Sequence, residues 1–479
     1  MEIKDLIGLA LVLAALPASM VVNCFSRTAR EVSFFLIAAL APVSHKLSID
    51  FFSHYWYRGT TRGMEISVVD VLAAGLLAGA WLDARRRGIR PRWPGSLGLM
   101  ALFFGYACVS VICFSEPRIY GTFELFQMLR GVLMFLAAAW FVEGPRELAL
   151  LVLAIASAVW FEAAMGFRQR VLQGMFRVPG SLMDANSLSM YLCTVTPLLV
   201  AAATSTLPAW LRRFSGAAVL AAAATIFLTI SRAGVPIFAL VVLGTAAWCV
   251  SWRITPGKIA VAGLITLGVA GLVAKSWNQL SARYVNNPLS AEYLDPNQYE
   301  SRGYFLRLGK IIVDDRFWGV GLNNWSYWVS KKYGAELNTP YEDYDDLAYT
   351  PDKSSLSSLS YAAPAHNLAA LTAGELGVPG LMLFMLLWLR WFQMGAGFFR
   401  RRGPDLVRRL GIGICFCACG IFLQSITEWT FRQAQIFLTF HILIGTLASL
   451  RHLRNREEWQ QEEVLEIETV PTANELVNA

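Results

Sequence analysis

Charge is what this sequence has least of. Only 16% of its 479 residues are Asp, Glu, Lys or Arg, against 56% hydrophobic and a mean hydropathy of +0.47. A soluble chain of this length carries more charge and far fewer long apolar runs, so the composition specifies a polytopic membrane protein. The positive residues sit in short loops between apolar runs, as membrane insertion requires, and the net charge of +7 is therefore no sign of nucleic acid. None of the eight cysteines lies in the long polar segment, which excludes a disulfide framework. Cys415, Cys417 and Cys419 alternate within one apolar run, poor geometry for a closed zinc site, and read as small buried hydrophobes. Met1 to Asp5 is too acidic for a signal-peptide n-region, so the first apolar run is expected to be retained. There is also no Gly-rich phosphate loop before a strand–helix unit and no Gly-x-Ser-x-Gly elbow.

What is abundant is membrane-length apolar sequence. Runs near the ~20 residues that cross a bilayer fall at about 6–23, 32–44 (short), 66–82, 97–113, 125–142, 148–166, 187–204, 215–230, 234–252, 258–276, 378–394, 410–427 and 434–450. The expected fold is an all-α membrane bundle of about 12–13 spans with one long, partly helical outer loop. Its expected divisions are 1–276 for the first ten spans, 277–365 for the loop, 366–450 for the last three spans, and 451–479 for a polar, acidic tail. Arg85–Arg87, Arg212–Arg213, Arg253, Arg400–Arg402, Arg408–Arg409 and Arg451–Arg456 fall in alternate loops, which the positive-inside bias assigns to the cytoplasm. The long loop then faces outward. Within it, Tyr304, Phe305, Leu308, Ile311 and Ile312 share one helical face, followed by D-D-R-F-W-G-V-G, whose glycines break the helix.

The charges left over are the informative ones. Arg177 lies in the outer loop before the seventh span, Arg232 at the outer end of the eighth, Arg302 at the start of the loop helix, and Arg130 inside the fifth span. An intramembrane charge is a functional candidate by default, and guanidiniums gathered at one face can grip a diphosphate bidentately. The alternative is simple headgroup pairing. His366 and Asn367 sit where the polar segment meets an apolar run, a place where imidazole can exchange protons near neutral pH; an interfacial or helix-capping histidine is the competing reading. The acidic run Glu342–Asp346 lacks His or Cys neighbours and is read as solvated, so no metal and no cofactor is expected.

Four stretches together carry a family resemblance. G-S-L-M-D-A-N (Gly180–Asn186) precedes a span, T-I-S-R-A-G (Thr229–Gly234) ends one, and S-R-G-Y-F-L-R-L-G-K-I-I-V-D-D-R-F-W-G-V-G (Ser301–Gly321) enters the long loop. H-N-L-A-A-L-T-A-G-E-L-G-V-P-G (His366–Gly380) follows it. In this order they resemble the bacterial O-antigen ligase/O-antigen polymerase superfamily. The sequence departs from the usual pattern at Ala233, where a second glycine is common, and at Asp315-Arg316-Phe317, which replaces a His-Pro turn.

The resemblance implies a glycosyltransferase of the bacterial inner membrane with its active face in the periplasm. It would move a glycan from an undecaprenyl-diphosphate carrier to an acceptor hydroxyl on a glycan or glycolipid such as lipid A-core. His366 would be the general base; Arg232 and Arg302 would hold the diphosphate, with Asn367, Arg177, Asn186 and Arg130 as further substrate contacts. A polymerase or a protein O-oligosaccharyltransferase would share the scaffold. A transporter or flippase fits less well, because it calls for polar residues near mid-membrane in paired spans.

Overall fold

The computed structural model describes residues 3–54, 56–88, 93–250, 271, 281, 301–339, 341, 362–400 and 405–469. The tenth apolar run (except Gly271), the acidic run Glu342–Asp346 and the serine-rich stretch Ser354–Ser360 lie outside these residues.

Apolar helices account for almost everything described. They are α1 (Ile3–Phe25), α2 (Arg27–Leu40), α3 (Val68–Arg86), α4 (Leu97–Cys113), α5 (Arg118–Phe141), α6 (Pro145–Val171), α7 (Ala185–Ala203), α8 (Ala209–Thr229) and α9 (Gly234–Cys249). After the amphipathic α10 (Arg302–Asp315) come α11 (Leu368–Ala396), α12 (Asp405–Ser425) and α13 (Ala434–Thr469). Seven of these are long and apolar enough to cross a membrane, and the apolar parts of α1, α4 and α9 are shorter. The fold is thus an all-α polytopic membrane bundle. Its centre is α7, almost wholly buried between α8, α9 and α12. Helix α13 runs on to Thr469, into the segment read from sequence as a polar, acidic tail. The Glu- and Gln-rich sequence there has high intrinsic helix propensity.

Two features lie outside the expected pattern. The second apolar run is only 14 residues of α2 followed by a 3-10 turn that starts at Ala41-Pro42. Between it and α3 the chain forms an antiparallel hairpin, β1 (Ser48–Ser53) and β2 (Gly63–Ser67), with a register shift between Asp50 and Phe52.

Side-chain contacts sort the helix termini into two ends. At one end Arg30 pairs with Asp83, Arg87 with Glu143 and Arg146 with Glu31, while Arg409 bonds the carbonyl of Cys249 at 2.7 Å. This is where the arginine-rich loops gather. The other end holds the hairpin, the turns after α4, α6 and α8, helix α10 and the start of α11.

Helix α11 is broken near its start, and the break organises that second end. Gly377 has φ 66° and ψ −172°, a conformation open almost only to glycine. Pro379 lacks the N–H that Glu375 O would normally receive. The D-R-F-W-G-V-G segment repairs the ladder: Val320 N donates to Gly374 O (2.9 Å), Gly321 N to Glu375 O (2.8 Å), and Val378 N to Phe317 O (3.1 Å). Tyr106 Oη donates to Leu376 O at 2.7 Å. The approach is so close that a Cβ on Gly377 would lie 2.1 Å from Phe317 O. The two glycine-bearing motifs are therefore two halves of one backbone junction.

Candidate functional site

Several element termini at this end deliver polar residues to a common point. Gly180, at φ 66°, turns the chain against Glu162, and a Cβ there would meet Glu162 Oε2 at 2.3 Å. Gln169 fastens the same turn by bonding both the N–H and the carbonyl of Gly180. Four residues on, Asp184 caps α7 by accepting from Asn186 N and Ser187 N. That cap sets Asn186 on the first turn. Ser301 caps α10 in the same way, accepting from Tyr304 N, and places Arg302 at its first position. Asn367 caps α11 through Ala370 N (2.8 Å) and ties the cap to α12 by donating to Ile426 O (2.9 Å). The helix cap at this boundary is thus Asn367, which leaves His366 outside the helix with its ring uncommitted to capping.

The point where these residues meet is Glu428, in the polar break between α12 and α13. His366 Nδ1 lies 2.6 Å from Glu428 Oε2. Arg302 Nη2 donates to Oε1 at 2.7 Å, and Asn186 Nδ2 to the same oxygen at 2.9 Å. Arg177 Nη2 extends the chain by donating to Asn186 Oδ1 (2.7 Å), and its Nε donates to Thr229 O (3.3 Å). Arg302 Nε donates to Thr427 O at 3.2 Å.

Burial falls off across the set in a useful order. The Glu428 side chain is 5% exposed, Arg302 14% and His366 31%. A buried carboxylate needs its charge paired and its lone pairs filled, and one guanidinium, one amide and one imidazole do both here. An ionised carboxylate only accepts, so the hydrogen between His366 and Glu428 belongs to Nδ1. The lone pair is thereby assigned to Nε2, which has no hydrogen-bond partner among the described residues. The result is an imidazole oriented by a carboxylate, with its basic nitrogen toward the accessible side.

Of the residues singled out from sequence, His366, Arg302, Asn186 and Arg177 meet in this one network. Arg232 lies in the α8–α9 turn, three residues after Thr229, whose carbonyl holds Arg177. That turn is tight: Ile230 has φ 52°, and a Cβ on Gly234 would sit 1.6 Å from Ser189 Oγ on α7. Arg130 goes elsewhere. It is buried on α5, 2.9 Å from Glu65 Oε1 and 3.0 Å from Asp70 Oδ2, and reads as the partner of two acidic residues. Asn367 has both polar atoms engaged in the cap and its tie. Asp315, in the turn that departs from the His-Pro pattern, accepts from Lys332 Nζ (2.7 Å) and Tyr333 Oη (2.5 Å). Those bonds, the Lys332 one foremost, hold its carboxyl below the ordinary range.

Glu428 escaped the sequence reading. The signal was present: T-E-W-T-F-R-Q places a carboxylate between two membrane-length runs, and the rule that flagged the arginines flags it equally. No group of three or more His, Cys, Asp or Glu suited to a metal occurs among the described residues.

The apolar helices thus form a membrane bundle that carries a carboxylate-centred polar network at the end where the hairpin and α10 lie. Residues 217–385 match the O-antigen ligase family, a likeness that supports the resemblance to the O-antigen ligase/polymerase superfamily. The match spans Arg232, Arg302, His366 and Asn367; Arg177, Asn186 and Glu428 lie outside it. No individual curated protein matches the chain.

Proposed function

We propose that this chain is a lipid-linked-glycan-dependent glycosyltransferase of ligase type. It transfers a glycan from an undecaprenyl-diphosphate carrier to an acceptor hydroxyl of lipid A-core at the periplasmic face of the inner membrane. The observation that carries this reading is the His366–Glu428–Arg302 contact set, which joins a general base to a cation at the start of the loop helix.

In the proposed reaction His366 Nε2 takes the proton of the acceptor hydroxyl as its oxygen attacks the anomeric carbon. The bond from that carbon to the diphosphate oxygen breaks, and undecaprenyl diphosphate leaves with the bonding pair. Glu428 holds the ring and stabilises the imidazolium that forms, the role a carboxylate plays behind a catalytic histidine. Arg302, Arg177 and Arg232 supply donors for the leaving diphosphate. A guanidinium has five N–H groups, of which the protein bonds of Arg177 use two, so a diphosphate can be gripped without dismantling the network. Interactions that strengthen as charge develops on the leaving group are those that accelerate the step. Arg130 and Asn367 are proposed as positioning residues.

The test is reconstitution of the purified chain in vesicles with an undecaprenyl-diphosphate glycan and a lipid A-core acceptor. Glycosylated acceptor and released undecaprenyl diphosphate are expected in equal amounts. Carrier-bound glycan that lengthens instead, with acceptor untouched, would make the protein a polymerase.

A further inference from the structure

Beside the Glu428 network lies a cavity of ≈ 300 Å³ that the reaction as written does not use. It opens between the β1–β2 hairpin and the start of α13. Its size is at the lower end of the ~300–1,000 Å³ of small-molecule sites, and polar and charged side chains interrupt its mostly apolar wall. We propose that this cavity is a glycan subsite that seats the sugar rings next to the reacting bond, an inference that rests on the glycosyltransferase reading above.

Three observations carry it. First, the cavity is joined to the network. Trp429, in its wall, directly follows Glu428, and Gln433, also in its wall, donates to Asp184 Oδ2 at 3.2 Å. Asp184 is the cap that positions Asn186, so the cavity connects to the carboxylate hub through Trp429 on one side and through Gln433, Asp184 and Asn186 on the other.

Second, its floor holds polar groups that are incompletely served. Gln433 and Gln435 are 4% and 1% exposed, and the carbonyl oxygen of each has no hydrogen-bond partner among the described residues, nor does His45 Nδ1 in the same wall. A buried acceptor without a donor costs about 1–3 kcal/mol, and three around one cavity is a pattern that ligand hydroxyls relieve.

Third, the charges select the ligand. The carboxylates of Asp50 and Glu65 stand in the wall with Arg62, and Glu65 is already paired with Arg130. Two acids facing a diphosphate repel it, whereas each accepts from sugar hydroxyls. The Trp429 indole adds an apolar face with one polar handle, which suits the C–H face of a pyranose. The diphosphate therefore belongs with Arg302, Arg177 and Arg232, and the sugars belong here.

The chemistry is shared by two sources, the glycan on the carrier and the glycan of the acceptor, and the experiment separates them. A photoreactive phenylalanine analogue replaces Ser53, in the cavity wall, in the full chain in nanodiscs. An identical replacement at Trp210, exposed near the opposite end, is the control. The probes are an undecaprenyl-diphosphate glycan and a lipid A-core glycolipid, offered separately. A carbohydrate-bearing adduct at Ser53 and not at Trp210, with one probe, supports the subsite and names its occupant. No adduct with either probe overturns it, whether or not the wild-type chain transfers glycan. Wild-type transfer itself decides the parent reading independently. In the transfer assay, Asp50→Ala is expected to raise KM for the captured glycan about tenfold, the value of one charge-assisted hydrogen bond, and Trp429→Phe to raise it by less, each with a smaller change in kcat and in the other substrate's KM. Unchanged KM values for both substrates in both variants also overturn the subsite.

Discussion

At the scale of single residues, the network makes Glu428 the residue on which the others depend. His366→Ala removes the proposed base, and transfer is expected to fall by about 100- to 10,000-fold while carrier-lipid binding persists. A folded His366→Ala chain that keeps more than about a tenth of the rate ends the general-base assignment. Glu428→Gln tests the orienting role separately. Its amide can donate to Nδ1 and so favours the tautomer that blocks Nε2, the kind of error that removes catalysis without removing the fold. Its kcat should fall by a similar order with KM for the donor little changed, measured on protein of normal melting temperature. Arg302→Lys keeps the charge but loses the fork that reaches both Glu428 and a phosphate, and a marked loss of transfer at equal protein level is expected. Full activity in that variant would reduce Arg302 to an ion-pair partner. The sequence made His366, Arg302, Arg177 and Asn186 legible, because each sits at a polar–apolar boundary where its charge or amide has no obvious bland use. It did not make their meeting place legible. Glu428 stands some 60 residues after His366 and more than 120 after Arg302, and only the packing of α11 against α12 and α13 closes those separations.

At the scale of elements, the break in α11 is the structure's main departure from a plain span. Helix carbonyls freed inside a membrane protein must find donors in neighbouring protein, and the 317–321 turn segment and Tyr106 supply them. The consequence is that α10, which carries Arg302, and α11, which follows His366, are fixed relative to each other through backbone bonds. Gly377→Ala is therefore expected to be costly. The conformation alone costs on the order of 1–3 kcal/mol for a residue with a side chain, and the 2.1 Å clash with Phe317 O adds to it. Lowered melting temperature in detergent should accompany reduced transfer; normal stability and rate would show that the junction does not hold the site. The glycines of both motifs are visible in the sequence. Which backbone approaches them is not, since two distant glycine motifs look alike in sequence and identify each other only when folded. The β1–β2 hairpin was missed for a related reason. It lies in a short polar gap, where membrane-span patterning has nothing to say.

At the scale of the whole molecule, the ordering of termini into two chemically distinct ends is what hydropathy and loop charge predicted best. Both rest on averages over many residues, which survive local irregularity. Among the described residues, seven helices are long and apolar enough to cross a membrane and α1, α4 and α9 have shorter apolar parts, while α2 is short and charged, with Arg30 and Glu31 buried. The arginine-rich loops at one end and the His366 network at the other lead to a definite orientation. If the positive-inside bias governs this chain, Arg213 faces the cytoplasm and Trp318, exposed in the turn after α10, faces the periplasm. A cysteine replacing Trp318 is then expected to react with an impermeant maleimide in cells whose outer membrane alone is opened. A cysteine replacing Arg213 should react only after the inner membrane is breached. Cys113, exposed at the end of α4 on the Trp318 side, serves as a native reporter, with Cys113→Ser as its control. The reverse labelling pattern would turn the network toward the cytoplasm, where the proposed periplasmic transfer has no route, and the assignment would fall with the orientation.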